Sequence, residues 1–366
     1  MQRTGQTYVD FSSLFSLPSP PLLPVAALPK NTNHPLFHPL SFLLLQIYVG
    51  CAGGGITKLA LNCKKEELPD SYTPALLSVG GLVGGHSGAD IHKYRASAIK
   101  VIARVLDNLV GDGCCRLADV SAGDKHNVIP RESEASIFIQ SNSIEAIRAV
   151  IGNVEKELLL EYGVCEKTMS IKLEPLEKSG TPKLALTPDC EKKVLALLNL
   201  IPHGPIKFSH SIPELVETSN NIASVKSTPT ENGAEFVVTC STRSSVNGAI
   251  EAVRRQFRAL AGLCNATVTG NKPYPGWQPN LDSKVLKCTM EEVTKLIGFK
   301  PEVTAIHAGL ECGIIGERLG SPPCDMVAFG PTIIDAHSPA ERVQISTVEP
   351  FWKLVLNIVQ NIAKSS

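Results

Sequence analysis

The stretch SVGGLVGGHSGADIHKYRASAIKVIARVLDNLV, residues 78–110, holds a strand, a loop and a helix in succession. The helix shows in the recurrence of Ala96, Ile99, Val101 with Ile102, Val105, Leu106 and Leu109 at the spacing of one helical face. Ahead of it, five glycines and two histidines crowd into the fifteen residues Ser78–His92. Two readings of that loop are open. The glycines shape a turn and His86 is incidental, or the backbone is bare so that the imidazole of His86 can reach a ligand.

Working outward, CRLADVSAG (115–123) and ESEASIFIQ (132–140) alternate as half-buried strands do. SIEAIRAVIGNVEKELLLEYG (143–163) is a second amphipathic helix, with Ser143 or Asn142 as its N-cap, and MSIKLEPLE (169–177) is a closing strand. Strand, helix, strand, strand, helix, strand is the ferredoxin-like split βαβ order. A similar order then begins again. PDCEKKVLALLNLIP (188–202) is a helix, NIASVKST (221–228) and AEFVVTCSTRS (234–244) are strands joined across the turn signal ENG, and VNGAIEAVRRQFRALAGL (246–263) and CNATVTG (264–270) are a helix and a strand. CAGGG (51–55) reads as a turn. Beyond residue 270, PEVTAIHAGLECG and CDMVAFGPTI read as apolar strands ending in glycine loops, and VEPFWKLVLNIVQNIA as a final helix, an α/β pattern. The fold class expected is therefore α/β together with α+β. A ferredoxin-like lid or association module spans residues 56–270.

The composition narrows the function. With 366 residues, one large domain or two ordinary ones are expected, and an apolar content of 43% supports a sizeable core. Basic and acidic residues balance at 35 each, which argues against nucleic acid or a membrane surface as partner. The eleven cysteines form no CxxC pair and read as reduced thiols of a cytoplasmic protein. Residues 1–48 differ from the rest: their only charges are Arg3, Asp10 and Lys30, and prolines recur at 18, 20, 21, 24, 29, 35 and 39. That segment reads as an atypical proline-rich leader, disordered or non-native.

Four constellations could carry chemistry: His86 in GGHSG, Asn127 and Arg131 in HNVIPRE, His307 and Glu311 in HAGLECG, and Asp335, His337 and Glu341 in GPTIIDAHSPAE. His307 and Glu311 are spaced as a helical pair, but Gly309 and Gly313 argue for a loop. A hydrolytic metal site needs imidazole and carboxylate ligands with one open position, and His337 is the best-placed candidate. Arg243, in CSTRS at a strand end, offers a carboxylate a fork that lysine cannot match.

Seven stretches, in order, resemble the aminoacyl-histidine dipeptidases, the Xaa-His dipeptidases of the di-zinc aminoacylase and carboxypeptidase group. They are IYVGCAGGG, GGHSGADIH, HNVIPRE, HGPIKFSHSIPELVETSNNIA, YPGWQPN, IHAGLECG and GPTIIDAHSP, and the likeness runs from about residue 47 to the C-terminus. The resemblance implies an α/β catalytic domain with two zinc ions, of which residues 49–55 are a remnant and 271–366 the C-terminal part, and a lid and dimerisation domain at 56–270. It implies that His337 is a metal ligand. His86 is a lid histidine that steadies the oxyanion, often from the opposite half of a dimer. Asn127 and Arg243 hold the substrate carboxylate, and His307 and Glu311 line the cleft.

The family's HxD motif, bridging aspartate and catalytic Glu-Glu pair find no counterpart. Glu66-Glu67 and Glu291-Glu292 lie in other contexts, and GADIH only echoes a metal motif. The expectation is a truncated chain that binds no zinc tightly and does not hydrolyse dipeptides alone. The partners expected are a dipeptide and a second copy, or a full-length paralogue. The alternative readings are a non-catalytic dimerisation and interaction module, or an incomplete gene model.

Overall fold

A computed structural model describes residues 8–10, 46–111, 113–176, 182–320, 324–334 and 340–365. The chain divides into two compact units, one of residues 1–50, 279–305 and 319–366, the other of 51–278 and 306–318.

The larger unit contains β1 (Gly53–Glu67), β2 (Tyr72–Gly80), α1 (Ala98–Leu109), β3 (Cys115–Ala122), β4 (Ser133–Gln140), α2 (Ile144–Tyr162) and β5 (Ser170–Pro175). It continues with β6 (Leu184–Leu186), α3 (Pro188–Leu200), β7 (Gly204–Phe208), β8 (Val216–Thr230), β9 (Gly233–Ser244), α4 (Asn247–Cys264) and β10 (Thr267–Gly270). One ten-stranded sheet runs β6-β1-β9-β8-β3-β4-β2-β5, with β7 also on β8 and β10 also on β1.

The βαββαβ order expected from the sequence forms, and the similar order read from residue 188 onward also forms. The first is β2-α1-β3-β4-α2-β5. The second begins earlier than its sequence suggests, because its first strand is β1, which precedes the whole first repeat. CAGGG is accordingly no turn: Gly53, Gly54 and Gly55 open β1 opposite Ser244, Arg243 and Thr242 of β9. In CDMVAFGPTI the expected strand is reduced to a single antiparallel bridge of Ala328 with Tyr48 before Gly330-Pro331, and a short strand, Ile333–Ile334, follows that break.

The core lies between this sheet and its helices. Helix α1 buries Ile99, Val101, Ile102, Val105, Leu106 and Leu109, because β2, β3 and β4 lie under it and α2 and α3 flank it. Replacing Leu106, which is 0% exposed, by alanine should cost about 2–5 kcal/mol in urea unfolding. Leu160→Ala, at an 89% exposed position, should stay within about 0.5 kcal/mol.

The smaller unit pairs Gln46–Cys51 with Glu302–Ile306 and packs α5 (Lys284–Ile297) on α7 (Val348–Ser365). Ser283 caps α5, accepting from the Leu286 amide at 2.9 Å, and Gly298 ends it in the left-handed region. Tyr8–Asp10, Arg342–Gln344 and Ile333–Ile334 form a small antiparallel sheet with Arg342–Gln344 in the middle. The rest of the proline-rich leader lies outside the described residues. No helix among the described residues is long and apolar enough to cross a membrane.

Candidate functional site

The glycine loop that follows β2 is closed at its neck by a buried carboxylate. Glu166, 0% exposed, accepts from the Val83 amide at 2.7 Å and from the Ala96 amide at 3.0 Å. Inside the loop, Asp90 accepts from the His86 amide at 2.8 Å and pairs with Lys93 at 2.7 Å and Arg95 at 3.6 Å. Burial opposes ionisation of Asp90, but Lys93, the His86 amide and Arg95 together hold its carboxyl below the usual range. The ring of His86 is oriented by backbone. Its Nδ1 accepts from the Gly88 and Ala89 amides at 3.1 and 3.0 Å. Two donors at Nδ1 leave the proton of the neutral ring on Nε2.

Gly85–His86 pairs with Val128–Ile129, and the Ser87 amide donates to the Asn127 carbonyl at 2.8 Å. The structure thus places the His86 and Asn127 loops side by side. Asn221 of β8 fastens them, its Nδ2 donating to the Val128 carbonyl at 2.9 Å and the His126 carbonyl at 3.3 Å. Ser219, two residues earlier on the same strand, shares that face, and Arg243 of β9 stands opposite Ser219. His307 comes from the loop before α6 (Glu311–Leu319), and its Nε2 lies 2.7 Å from Ser219 Oγ. The His86 loop abuts it: a Cβ at Gly88 would lie 2.5 Å from the His307 carbonyl oxygen.

Burial first, and the neighbouring Arg243 second, push the His307 imidazole down to about 3, so the ring is neutral at any working pH. Arg243 is 7% exposed, and its Nη1 donates to Tyr274 Oη at 2.9 Å. Among the described residues no carboxylate pairs with it, and its buried Nε has no partner. The segment carrying Tyr274 is clipped to β1 by mutual backbone hydrogen bonds between Tyr274 and Gly54, each 3.0 Å. Position 54 has to be glycine, since a Cβ there would lie 2.6 Å from Tyr274 Oη.

Of the residues expected from the sequence, His86, Asn127, Arg243 and His307 therefore belong to one neighbourhood. Glu311 is the exposed first residue of α6, so His307 and Glu311 are no helical pair. Arg131 donates to the Leu82 carbonyl at 3.3 Å, at the neck of the glycine loop. Asp335 and His337 lie outside the described residues. Sequence reasoning missed Ser219, Tyr274 and Glu166. Tyr274 sits in the quoted YPGWQPN; Ser219 sits in a polar run without alternation; Glu166, in CEKT, carries no sequence signal. Among the described residues no three His, Cys, Asp or Glu side chains converge to hold a metal ion.

A family model described as the peptidase dimerisation domain of the M20 peptidases matches residues 77–163. Over 317 residues the chain is 33% identical to the cytosol non-specific dipeptidase of Escherichia coli (strain K12), covering 87% of this chain and 64% of that one. The crystal structure of aminoacylhistidine dipeptidase from Vibrio alginolyticus superposes with a TM-score of 0.80 at 30% identity, covering 88% of this chain and 64% of that one. Residues 77–163 thus match the M20 peptidase dimerisation domain, and the likeness to the two dipeptidases extends over most of this chain. It spans 64% of the length of both relatives, less than two thirds. The matched M20 module starts within β2 and ends just after α2, so it takes in the His86 loop and Asn127 but neither Arg243 nor His307.

Proposed function

We propose that this chain is the substrate-gripping part of an M20 dipeptide hydrolase acting on Xaa-His-type dipeptides. One observation carries the reading. Arg243 is a buried cation that lacks a carboxylate partner among the described residues and keeps an unpartnered Nε. An uncompensated buried charge is costly, and a ligand carboxylate relieves that cost through two parallel N–H···O bonds. The peptide's terminal carboxylate takes that place, with Tyr274 orienting the guanidinium and Asn127 supporting the same end.

The remaining residues then have distinct tasks. His86, with its proton on Nε2, donates to the scissile carbonyl oxygen as negative charge develops there. His307, neutral and held by Ser219, is a wall of the cleft, and Glu311 lies at its rim. Residues 56–270 form the lid, and 49–55 with 271–366 belong to the catalytic domain.

The family resemblance implies two zinc ions, with His337 as this chain's ligand. The described residues do not fit such a site, since no three His, Cys, Asp or Glu side chains converge among them. Alone, the chain binds carboxylate-bearing dipeptides, holds no zinc tightly and does not turn them over. It works as a homodimer or with a full-length paralogue, in the cytoplasm.

Calorimetric titration of β-alanyl-histidine and of its C-terminal amide tests the grip. The acid should bind at least about tenfold more tightly, the loss of one charged hydrogen-bond pair. Equal affinities would sink the reading. Zinc content measured by mass spectrometry should be near zero, and chelator-sensitive cleavage by the purified chain would refute the claim that it is inactive alone.

A further inference from the structure

The glycine loop that carries His86 is fastened at both of its ends to one short segment, Glu166–Thr168, between α2 and β5. Glu166 Oε2 accepts from the Val83 amide at 2.7 Å and Oε1 from the Ala96 amide at 3.0 Å, so a single carboxylate spans the neck. Thr168 Oγ1 donates to the Gly81 carbonyl at 2.7 Å. Gly81 has a φ of +74°, and a Cβ there would lie 1.9 Å from the Thr168 carbonyl oxygen. The segment is itself anchored. The Glu166 amide donates to the Tyr162 carbonyl, at the end of α2, at 2.9 Å, and the Met169 amide donates to the Glu166 carbonyl at 3.2 Å. From the neck the connection runs on to the ring. Arg95, next to Ala96, donates to the Gly84 carbonyl and pairs with Asp90, which holds the His86 amide. The Gly88 and Ala89 amides then orient the His86 ring.

We propose that Glu166 is a positioning residue for His86, acting through the loop's backbone by clasping its two ends together. Five glycines between Ser78 and His92 make the loop costly to order and give it few side chains to pack by. Its geometry therefore has to be imposed from outside, and the clasp does this. The chemistry calls for a carboxylate. Two amide N–H groups point at one side chain that is 0% exposed, and an acceptor-only group satisfies both. A glutamine of nearly the same volume offers one oxygen and turns an NH2 group toward the second amide. An alanine leaves both donors unpaired where water does not reach. Losing a hydrogen bond to a charged group should raise the population of the open loop about ten- to 150-fold. That His86 meets a substrate carbonyl rests on the proposed hydrolase reading; the clasp does not, and it is tested without substrate.

Glu166→Gln and Glu166→Ala are compared with the parent chain. Glu161→Gln, at a 44% exposed side chain paired with Arg104, is the control. Nitrogen NMR spectra of the histidine rings, at a pH where imidazole is neutral, report the tautomer of His86, whose signal is assigned by its loss in His86→Gln. Amide hydrogen exchange reports the loop. In the parent and the control the His86 proton should sit on Nε2. In Glu166→Gln the signal should move to the averaged position of a free imidazole, and the His86, Gly88 and Ala89 amides should exchange about ten- to 150-fold faster. The β4 amides should keep the parent's protection, which a general loss of stability would not allow. An unchanged ring signal with unchanged loop exchange in Glu166→Gln, or equal acceleration in β4, would overturn the proposal. The parent chain decides the matter if the variants fail to fold. Its Val83 and Ala96 amides should both exchange slowly, and either one exchanging as an unbonded amide does would overturn the proposal. Failure of the hydrolase reading shows elsewhere, as equal binding of the dipeptide acid and its amide by the parent, and leaves these spectra as they are.

Discussion

Replacing Arg243 by alanine lowers the affinity for a carboxylate-bearing dipeptide by about 30- to 4000-fold. This is the range of about 2–5 kcal/mol for removing one partner of a buried, hydrogen-bonded charge pair. The free chain should not suffer in proportion. In it, Arg243 is a 7% exposed cation that donates to Tyr274, with no carboxylate partner among the described residues, so alanine removes a desolvated charge as well as a hydrogen bond. Urea unfolding of the variant should therefore stay within about 1 kcal/mol of the parent or move to higher stability. Arg243→Lys keeps the charge but loses the fork, and its affinity should fall between the two. The C-terminal amide, already without a charge to offer, should bind parent and variants alike. If the alanine variant binds the acid as tightly as the parent does, Arg243 is not the anchor.

The second large effect is acid destabilisation centred on His307. Its folded value of about 3 lies below that of an unfolded histidine, about 6.5, because burial and Arg243 disfavour the imidazolium. The unfolded chain consequently takes up the proton first. The stabilisation is present in full above pH 6.5 and is lost as pH falls toward the folded value. The slope approaches about 1.4 kcal/mol per pH unit, so lowering the pH from 7 to 5 should cost about 2 kcal/mol through this residue. His203, pushed by burial to about 4, adds a loss of the same sign over the same window. Urea unfolding at a series of pH values measures the slope. His307→Gln should remove about one proton's share of it, and an undiminished slope in that variant would exclude His307 as the source.

Much of the architecture was legible because its elements are amphipathic. Helix α1 shows its buried positions directly, and β4 alternates along Ser133–Gln140 with every second residue, Ser133, Ala135, Ile137 and Ile139, buried. The hairpin between β8 and β9 was marked by its Glu-Asn-Gly turn. The site was partly legible for a different reason: histidine, arginine and asparagine among glycines at element ends announce chemistry whatever they pack against.

What failed were segments whose polarity is satisfied from afar. The start of β8, Val216 to Asn220, lies ahead of the strand expected from Asn221, yet all five residues are strand and buried. Asn220 accepts from Thr242 at 2.9 Å and donates to the Pro202 carbonyl, Thr218 bonds Ser244, and Ser219 meets His307, which lies 88 positions away. A polar strand can be buried only where such partners converge. CAGGG failed in the same way, since its glycines are demanded by Tyr274 and the neighbouring segment, more than 200 positions later.

The sequence by itself determined the first βαββαβ repeat, the second from its helix onward, the glycine loop with its histidine and the likeness to peptidases, because periodicity and turn chemistry act over a few residues. Tertiary structure alone decided that β3 meets β8 at Ala122 and Val225, that the His86 loop lies against the His307 carbonyl, and that Arg243 has no carboxylate partner among the described residues. Those outcomes depend on strand pairing and on charge burial between residues distant in the chain, and neither leaves a mark in local sequence.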